Sequence, residues 1–366
     1  MTISYLPHTG TPGGSTPLRI ALVAPPWLPV PPHGYGGTER VIALLADGLA
    51  AAGHDVTLFA AAGSDTGARL VAPLEAPPPV IGAAPDEEAF HTMAAYLARD
   101  EFDLIHDHTS LGPAFAGLLP DGPPVVHTLH GPWTAGLRYK LGLVHDRVHL
   151  VAISHAQQRM NVSVRTTAVV HNGIDIDAHP FHEQKDEFLL FLGRINPDKA
   201  PEVAIEVAQK TRRPLTMLVK RSEPEEWDYW HDVVEPLVDD SVTVIEQPPH
   251  DVKVDLLGRA RALLCPINWP EPFGLVLVEA LACGTPVITR PFGAAPEIVT
   301  SDVGFLCDDL VDMLDAVDDA ETISPHACRA RAVNHFSGAA MVRGYTRVYE
   351  SVLGDTITDR RATATA

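Results

Sequence analysis

The chain has 366 residues, 46% hydrophobic and 20% charged, with 47 acidic against 27 basic side chains and a formal net charge of −20. That length and composition suit two globular α/β units and argue against a disordered chain. The acidic balance, with no basic stripe, argues against a nucleic-acid partner and against electrostatic docking on an anionic membrane; no apolar run is long enough for a conventional membrane span.

Residues 1–17 have neither the cationic start nor the apolar centre of a signal peptide and read as a loose Pro/Gly/Thr tail. A strand is predicted at Leu18–Ala24, a Pro/Gly-rich loop at Pro25–Gly37, and a helix over Thr38–Ala52 that Gly53 stops. Asp55–Ala60 is the next strand, followed by a Pro-rich stretch at Ala72–Pro85, a helix near Glu87–Arg99 and a strand at Leu104–His106. Val125–Leu129 and His149–Ser154 are expected to close the first sheet, and the polar stretch Gly173–Lys185 to link it to a second unit. There the rhythm repeats, with strands at Phe188–Leu192, Leu215–Val219, Ser241–Ile245, Ala262–Cys265 and Pro286–Thr289. The amphipathic run Met341–Leu353 is a last helix, and residues 356–366 form a second tail. Strand–helix alternation of this kind implies right-handed, doubly wound parallel sheets, one in residues 18–175 and one in 176–336. Cys265, Cys283, Cys307 and Cys328 show no C-x-x-C pairing, which fits reduced thiols in a cytoplasmic protein.

The most informative segment runs from Trp269 to Glu279. Pro270 and Pro272 forbid a helix up to that point, and the apolar run that follows ends at Cys283-Gly284, so a helix is predicted to start near Phe273. The unpaired N–H groups of Phe273, Gly274 and Leu275, at the positive end of that helix, can bind a diphosphate. Glu271 precedes this end, and Glu279 lies roughly 7–9 Å along the axis at about 1.5 Å per residue. Carboxylates on either side of an anion cradle suit a ligand with a sugar on each side of a diphosphate, a nucleotide sugar. Taken by itself, the segment also suits a capped helix with one exposed and one core-edge Glu.

A second element lies upstream. The apolar run Phe188–Leu192 is a buried strand, followed by Gly193, Arg194, Asn196-Pro197-Asp198 and Lys199 before a helical pattern begins. Cations on a strand-to-helix loop stand at the carboxyl edge of the sheet, where open α/β folds bind ligands. Arg194 can grip phosphate oxygens as a fork and Lys199 can add a point charge; a loop clasp with a solvated Lys is the plainer alternative. His130 follows the strand Val125–Leu129 and is placed at the same edge of the first sheet. In His33–Glu39, Glu39 stands where the third glycine of G-x-G-x-x-G would be, which breaks the dinucleotide fingerprint. Gly36 and Gly37 then mark a close approach of backbone to ligand. His106-Asp107-His108 looks like a metal clip, but alternation along a strand end points to structural or cleft roles, and no metal site is expected.

Together with Ala152-Ile153-Ser154-His155, Val170–Asp175 and Gly293–Glu297, these motifs occur in the order found in glycosyltransferase family 4, which the chain resembles over most of its length. The resemblance implies the GT-B fold: two Rossmann-like, doubly wound domains facing a cleft, with a last helix, about 337–355, crossing back to the first. It implies a bacterial, cytoplasmic hexosyltransferase that acts with retention on a nucleotide sugar, UDP-sugar favoured over GDP-sugar, without a metal or other cofactor. By resemblance the catalytic set is His130, Glu271, Arg194 and Lys199, with His130 against the donor sugar and Glu271 on its hydroxyls. Donor contacts fall to Gly36, Gly37, Arg194, Lys199, Phe273, Gly274, Leu275 and Glu279, with Glu279 on the ribose. The acceptor is expected to be a small soluble molecule such as a sugar, cyclitol or natural product, and a homodimer is compatible with the reading. Two departures are Ala200-Pro201 where the family usually has Gly after the Lys, and Gly293-Ala294-Ala295 where Gly-Gly is commoner. A GT-B-fold sugar-nucleotide 2-epimerase and a non-catalytic sugar-nucleotide-binding protein are the alternatives.

Overall fold

The structure, a computed structural model, describes residues 17–364 except 35, 120 and 162, with side chains as far as residue 354. The first sheet comprises β1 (Arg19–Val23), β2 (Asp55–Phe59), β3 (Arg69–Val71), β4 (Leu104–Asp107), β5 (Val125–Leu129), β6 (His149–Ala152) and β7 (Ala168–Val169). Its order is β3-β2-β1-β4-β5-β6-β7, parallel throughout. The second comprises β8 (Leu189–Arg194), β9 (Leu215–Lys220), β10 (Val242–Glu246), β11 (Ala262–Cys265), β12 (Val287–Thr289) and β13 (Gly304–Leu306), in the order β10-β9-β8-β11-β12-β13 and also parallel. Strand order reverses between β1 and β4 and again between β8 and β11, so both sheets are doubly wound.

Helices cover both faces of each sheet. Those of the first half are α1 (Gly37–Ala51), α2 (Pro85–Leu97), α3 (Gly112–Leu118), α4 (Ala135–Gly142) and α5 (His155–Arg159). The second half has α6 (Pro201–Thr211), α7 (Pro224–Tyr229), α8 (His250–Arg259), α9 (Leu275–Ala282), α10 (Ala295–Ile298), α11 (Leu310–Asp319), α12 (Pro325–Phe336) and α13 (Gly338–Ala364). Because both faces are covered, β4, β5 and β11 are buried along their whole length, which is why they read as continuous rather than alternating patterns.

Helix α13 lies on α1. Its Met341, Val342, Tyr345, Val348, Tyr349 and Val352, spaced by three or four residues, share one core with Val41, Ile42, Leu45, Ala46 and Leu49. Burying each such side chain contributes about 1.5–3 kcal/mol. The helices approach closely at Gly48, where a Cβ would stand 2.5 Å from Val342 Cγ2.

Three short strands go beyond the sequence reading: β3 and β13 of three residues and β7 of two, each too brief to show a period. The first sheet therefore closes on β7, not β6. Helix α9 begins at Leu275 rather than Phe273, because Gly274 takes a left-handed φ of 94° and serves as the N-cap. After Asn172, Gly173 packs on the Gly338 backbone and Ile174 forms an isolated parallel bridge with Ser337.

Candidate active site

The loops after β8 and β11 leave adjacent strands at the crossover of the second sheet, which brings residues far apart in sequence together. Lys199, on the loop after β8, forms an ion pair with Glu271 Oε2 from the loop after β11. Trp269 Nε1 donates to the same oxygen at 3.0 Å, and the Lys199 ammonium lies 5.6 Å from the Trp269 ring centroid, within reach of a cation–π attraction. Glu271 is fixed through its backbone as well: its carbonyl accepts from Ala294 N at 2.9 Å. Gly293 makes this possible, with φ of 57° and a position at which a Cβ would stand 2.2 Å from Glu271 O. Arg194 is tied through Nε to the buried Glu226, whose other oxygen accepts from Ser222 N at 2.7 Å. The remaining guanidinium nitrogens of Arg194 have no protein partner among the described residues.

Past Glu271 the chain turns into α9. The amides of Phe273, Gly274, Leu275 and Val276 donate to no protein acceptor among the described residues, so the first turn presents a row of open N–H groups. The Phe273 side chain points the other way, into the core against His171 and Phe336. Across the cleft, α1 begins at Gly37, where a Cβ would stand 2.9 Å from Leu275 Cδ1. Leu275 thus packs on the cores of both halves. At Gly36, with φ of 154°, a Cβ would meet Pro32 at 2.7 Å and Glu39 Oε2 at 2.9 Å, so the close neighbour there is the loop itself.

Farther along α9, Glu279 Oε1 accepts from Lys253 Nζ of α8 at 2.9 Å and lies 3.9 Å from His179 Nε2. Burial alone would raise the Glu279 pKa, but the Lys253 charge and the neighbouring His179 overrule it and hold the group at about 2.

On the facing sheet, β4 and β5 end in a stack of histidines. His106 and His108 share one face of the strand end, their alternation with Asp107 being that of a strand, and all three are buried because β4 is central and covered on both faces. His108 Nδ1 and His130 Nε2 share a hydrogen bond of 2.8 Å. The His106 ring lies 4.2 Å from that of His108 and bonds Tyr349 Oη at 2.7 Å and Thr128 Oγ1 at 2.8 Å, while Thr128 in turn meets Tyr345 Oη at 2.9 Å. Burial pushes His130 down to about 3 and His127 to about 4, so both rings are neutral at pH 7; it lowers His106 and His108 too. Asp107 is pushed the other way by burial, up to about 7, although Thr109 N and Oγ1 donate to it.

Two contacts join the halves beside the site. Ser154 Oγ donates to Pro272 O at 2.7 Å and accepts from Gln157 N at 2.9 Å, capping α5. Glu297, which closes the Gly293–Glu297 motif, reaches across to the start of α5: it accepts from His155 N at 2.9 Å, Ala156 N at 2.5 Å and His171 Nε2 at 2.9 Å. Sequence reasoning missed Glu226, Lys253, His179 and Trp269; of these only Glu226 had a local signal, the acidic run after Ser222 that forms a capping box.

Two doubly wound sheets, with cationic and acidic loops at one crossover facing a histidine-lined edge of the other, define a GT-B enzyme. Residues 35–178 match the sequence model of Glycosyltransferase Family 4, and residues 174–329 that of Glycosyl transferases group 1. The chain belongs to the family 4-like glycosyltransferases of the GT-B fold. It is 28% identical over 370 residues to a D-inositol 3-phosphate glycosyltransferase of Arthrobacter sp. (strain FB24), covering 82% of this chain and 86% of that one. It is 27% identical over 344 residues to a glycogen synthase of Mycobacterium tuberculosis (strain CDC 1551 / Oshkosh), covering 79% and 82%. Among solved structures it superposes on AviGT4, a glycosyltransferase involved in avilamycin A biosynthesis, with a TM-score of 0.68 and 26% identity over 92% of this chain and 98% of that one.

Proposed function

We propose that the enzyme moves a hexosyl group, with retention, from a nucleotide sugar to a hydroxyl of a small soluble acceptor, and that the donor is a UDP-sugar in preference to a GDP-sugar. The observation that carries this reading is the meeting of the Lys199–Glu271 pair with the open amides of α9 at one sheet crossover, opposite Gly37. An anion cradle beside a carboxylate is what a glycosyl diphosphate needs. The C1–O bond to the diphosphate breaks and a C1–O bond to the acceptor forms on the same face, with a phosphate oxygen taking the acceptor's proton. Negative charge growing on the leaving group is balanced by Arg194, Lys199 and the amides of Phe273, Gly274 and Leu275. Glu271 holds sugar hydroxyls, Glu279 the ribose, and neutral His130 offers an uncharged hydrogen-bonding partner to the sugar. Gly36 and Gly37 line the other wall. Closing the cleft would limit hydrolysis by water. The reading calls for no metal or other cofactor and for a cytoplasmic enzyme.

The test is thermal stabilisation by UDP, GDP, ADP and their sugars, for the wild type, Lys199→Ala and Glu279→Ala. A selective shift lost in both variants supports the donor site and names the base; no shift with any nucleotide sinks the transferase reading. Donor incubated without acceptor distinguishes the 2-epimerase, which would convert it to an epimer unaided.

A further inference from the structure

The Glu279 carboxylate is held asymmetrically. Lys253 and His179 both approach Oε1, while Oε2 accepts no hydrogen bond among the described residues. The Lys253 and Glu279 side chains are 18% and 14% exposed, so the pair is largely out of water without being sealed. His179 donates through Nδ1 to Asp175 O at 2.7 Å, and its buried Nε2 has no hydrogen-bond partner. The His250 ring lies edge-on to His179 at 5.8 Å, and Arg40 of α1 bears electrostatically on His250 from the other half of the molecule. A carboxylate this far from solvent keeps its charge only with a partner; removing that partner leaves it to protonate or rotate away.

We infer that Lys253 is a positioning residue for donor specificity: by occupying Oε1 it keeps Glu279 charged and turned so that Oε2 is the acceptor for a ribose hydroxyl. This rests on the reading of Glu279 as the ribose contact. Lys253 acts through Glu279, and its loss therefore erases discrimination at the ribose rather than binding in general. The groups facing Glu279 are Lys253 of α8, His179 from the segment after β7 and Cys283 one turn on along the chain, with His250 standing behind His179 and Lys253. With Lys253 gone, recovery of the carboxylate as pH rises restores the preference, whereas the wild type shows no such dependence.

The experiment takes whichever of UDP, GDP and ADP stabilises the wild type most and compares its affinity with that of the matched 2′,3′-dideoxynucleotide, by calorimetry at pH 6.0, 7.0 and 8.5. A hydrogen bond to a charged group corresponds to about 10–100-fold preference for the ribose form in the wild type at every pH. Lys253→Arg keeps that preference; Lys253→Met and Lys253→Gln bring the ratio towards one at pH 6.0 and regain part of it at pH 8.5. Either neutral variant suffices if the other does not fold. A neutral variant that keeps the wild-type ratio overturns the inference, as does one that weakens both nucleotides equally. Glu279→Ala separates the two levels of the argument: if it keeps the ribose preference, or if no nucleotide binds the wild type, the ribose reading fails and the inference falls with it.

Discussion

Acidifying the protein from pH 7.5 to pH 5.0 should destabilise the first sheet, and the size of the effect follows from the groups beneath His130. A histidine with a folded pKa below its unfolded value keeps its full stability contribution above the unfolded pKa and loses it as pH falls below that value. His127 at about 4 and His130 at about 3, against 6.5 unfolded, each lose about 2 kcal/mol by pH 5. Asp107 works the other way: raised from 3.8 to about 7, it regains about 2.5 kcal/mol over the same interval as it takes up a proton. These three give a net loss of about 1.5 kcal/mol. His106, His108, His54 and His91, all lowered by burial, deepen it, and Glu39, raised by burial, opposes it. Glu279 contributes only below pH 4.5. At about 2.1 cal/mol/K per residue, a chain of 366 residues shifts by about 1.3 °C per kcal/mol, so Tm falls by about 2 °C from these three groups. Asp107→Asn removes the offset, so its fall over the same interval is larger, at about 4 kcal/mol or more. Scanning fluorimetry of both proteins at the two pH values is the assay. A wild-type Tm that holds or climbs on acidification, or an Asp107→Asn profile no steeper than the wild type's, refutes the reasoning.

Three other outcomes are expected. Lys199→Ala should lower kcat/KM by about 10²–10³-fold, the range for losing one donor to developing charge, with an unchanged melting temperature within a few degrees; steady-state kinetics with the donor found by thermal shift checks it. Gly293→Ala forces a left-handed alanine against the Glu271 backbone and should cost about 1–3 kcal/mol or more, read as a lower Tm together with weaker donor binding. Glu297→Ala removes the acceptor shared by His155 N, Ala156 N and His171, so amide exchange at residues 155 and 156 should quicken while that of β8 is unaffected.

Much of the architecture was legible because a strand covered on both faces tends to write itself as an apolar run: β11 falls at the predicted residues and β1 and β8 within two of them, and β5 falls at its predicted residues too although His127 and Thr128 interrupt its run. Short edge strands such as β7 carry too few residues to show a pattern. The start of α9 was misplaced because the left-handed twist at Gly274 is a matter of backbone angle, to which the apolar run is blind. Site residues on the carboxyl-edge loops could be picked out one by one, but their pairings could not. Arg194 and Glu226 are 32 positions apart, Lys253 and Glu279 26, and Lys199 and Glu271 72. The sheet crossover brings Lys199 to Glu271, the packing of α8 on α9 brings Lys253 to Glu279, and the neighbouring strands β8 and β9 bring Arg194 to Glu226; a carboxylate that serves a cation looks, in sequence, like any other surface acid.

The crossing of α13 back onto α1 also constrains the order in which the molecule can form. Tyr345 and Tyr349 supply the hydroxyls that satisfy Thr128 and His106, and Met341–Val352 complete the core on one face of the first sheet. During synthesis that sheet emerges from the ribosome well before the helix that finishes it, so it must wait with a bare apolar face and unsatisfied buried histidines while the whole second sheet is made. A nascent chain halted before residue 338 would carry the thirteen strands of the described residues and still expose that face, a natural substrate for chaperones, and the last helix would be the step that commits the two halves to one another.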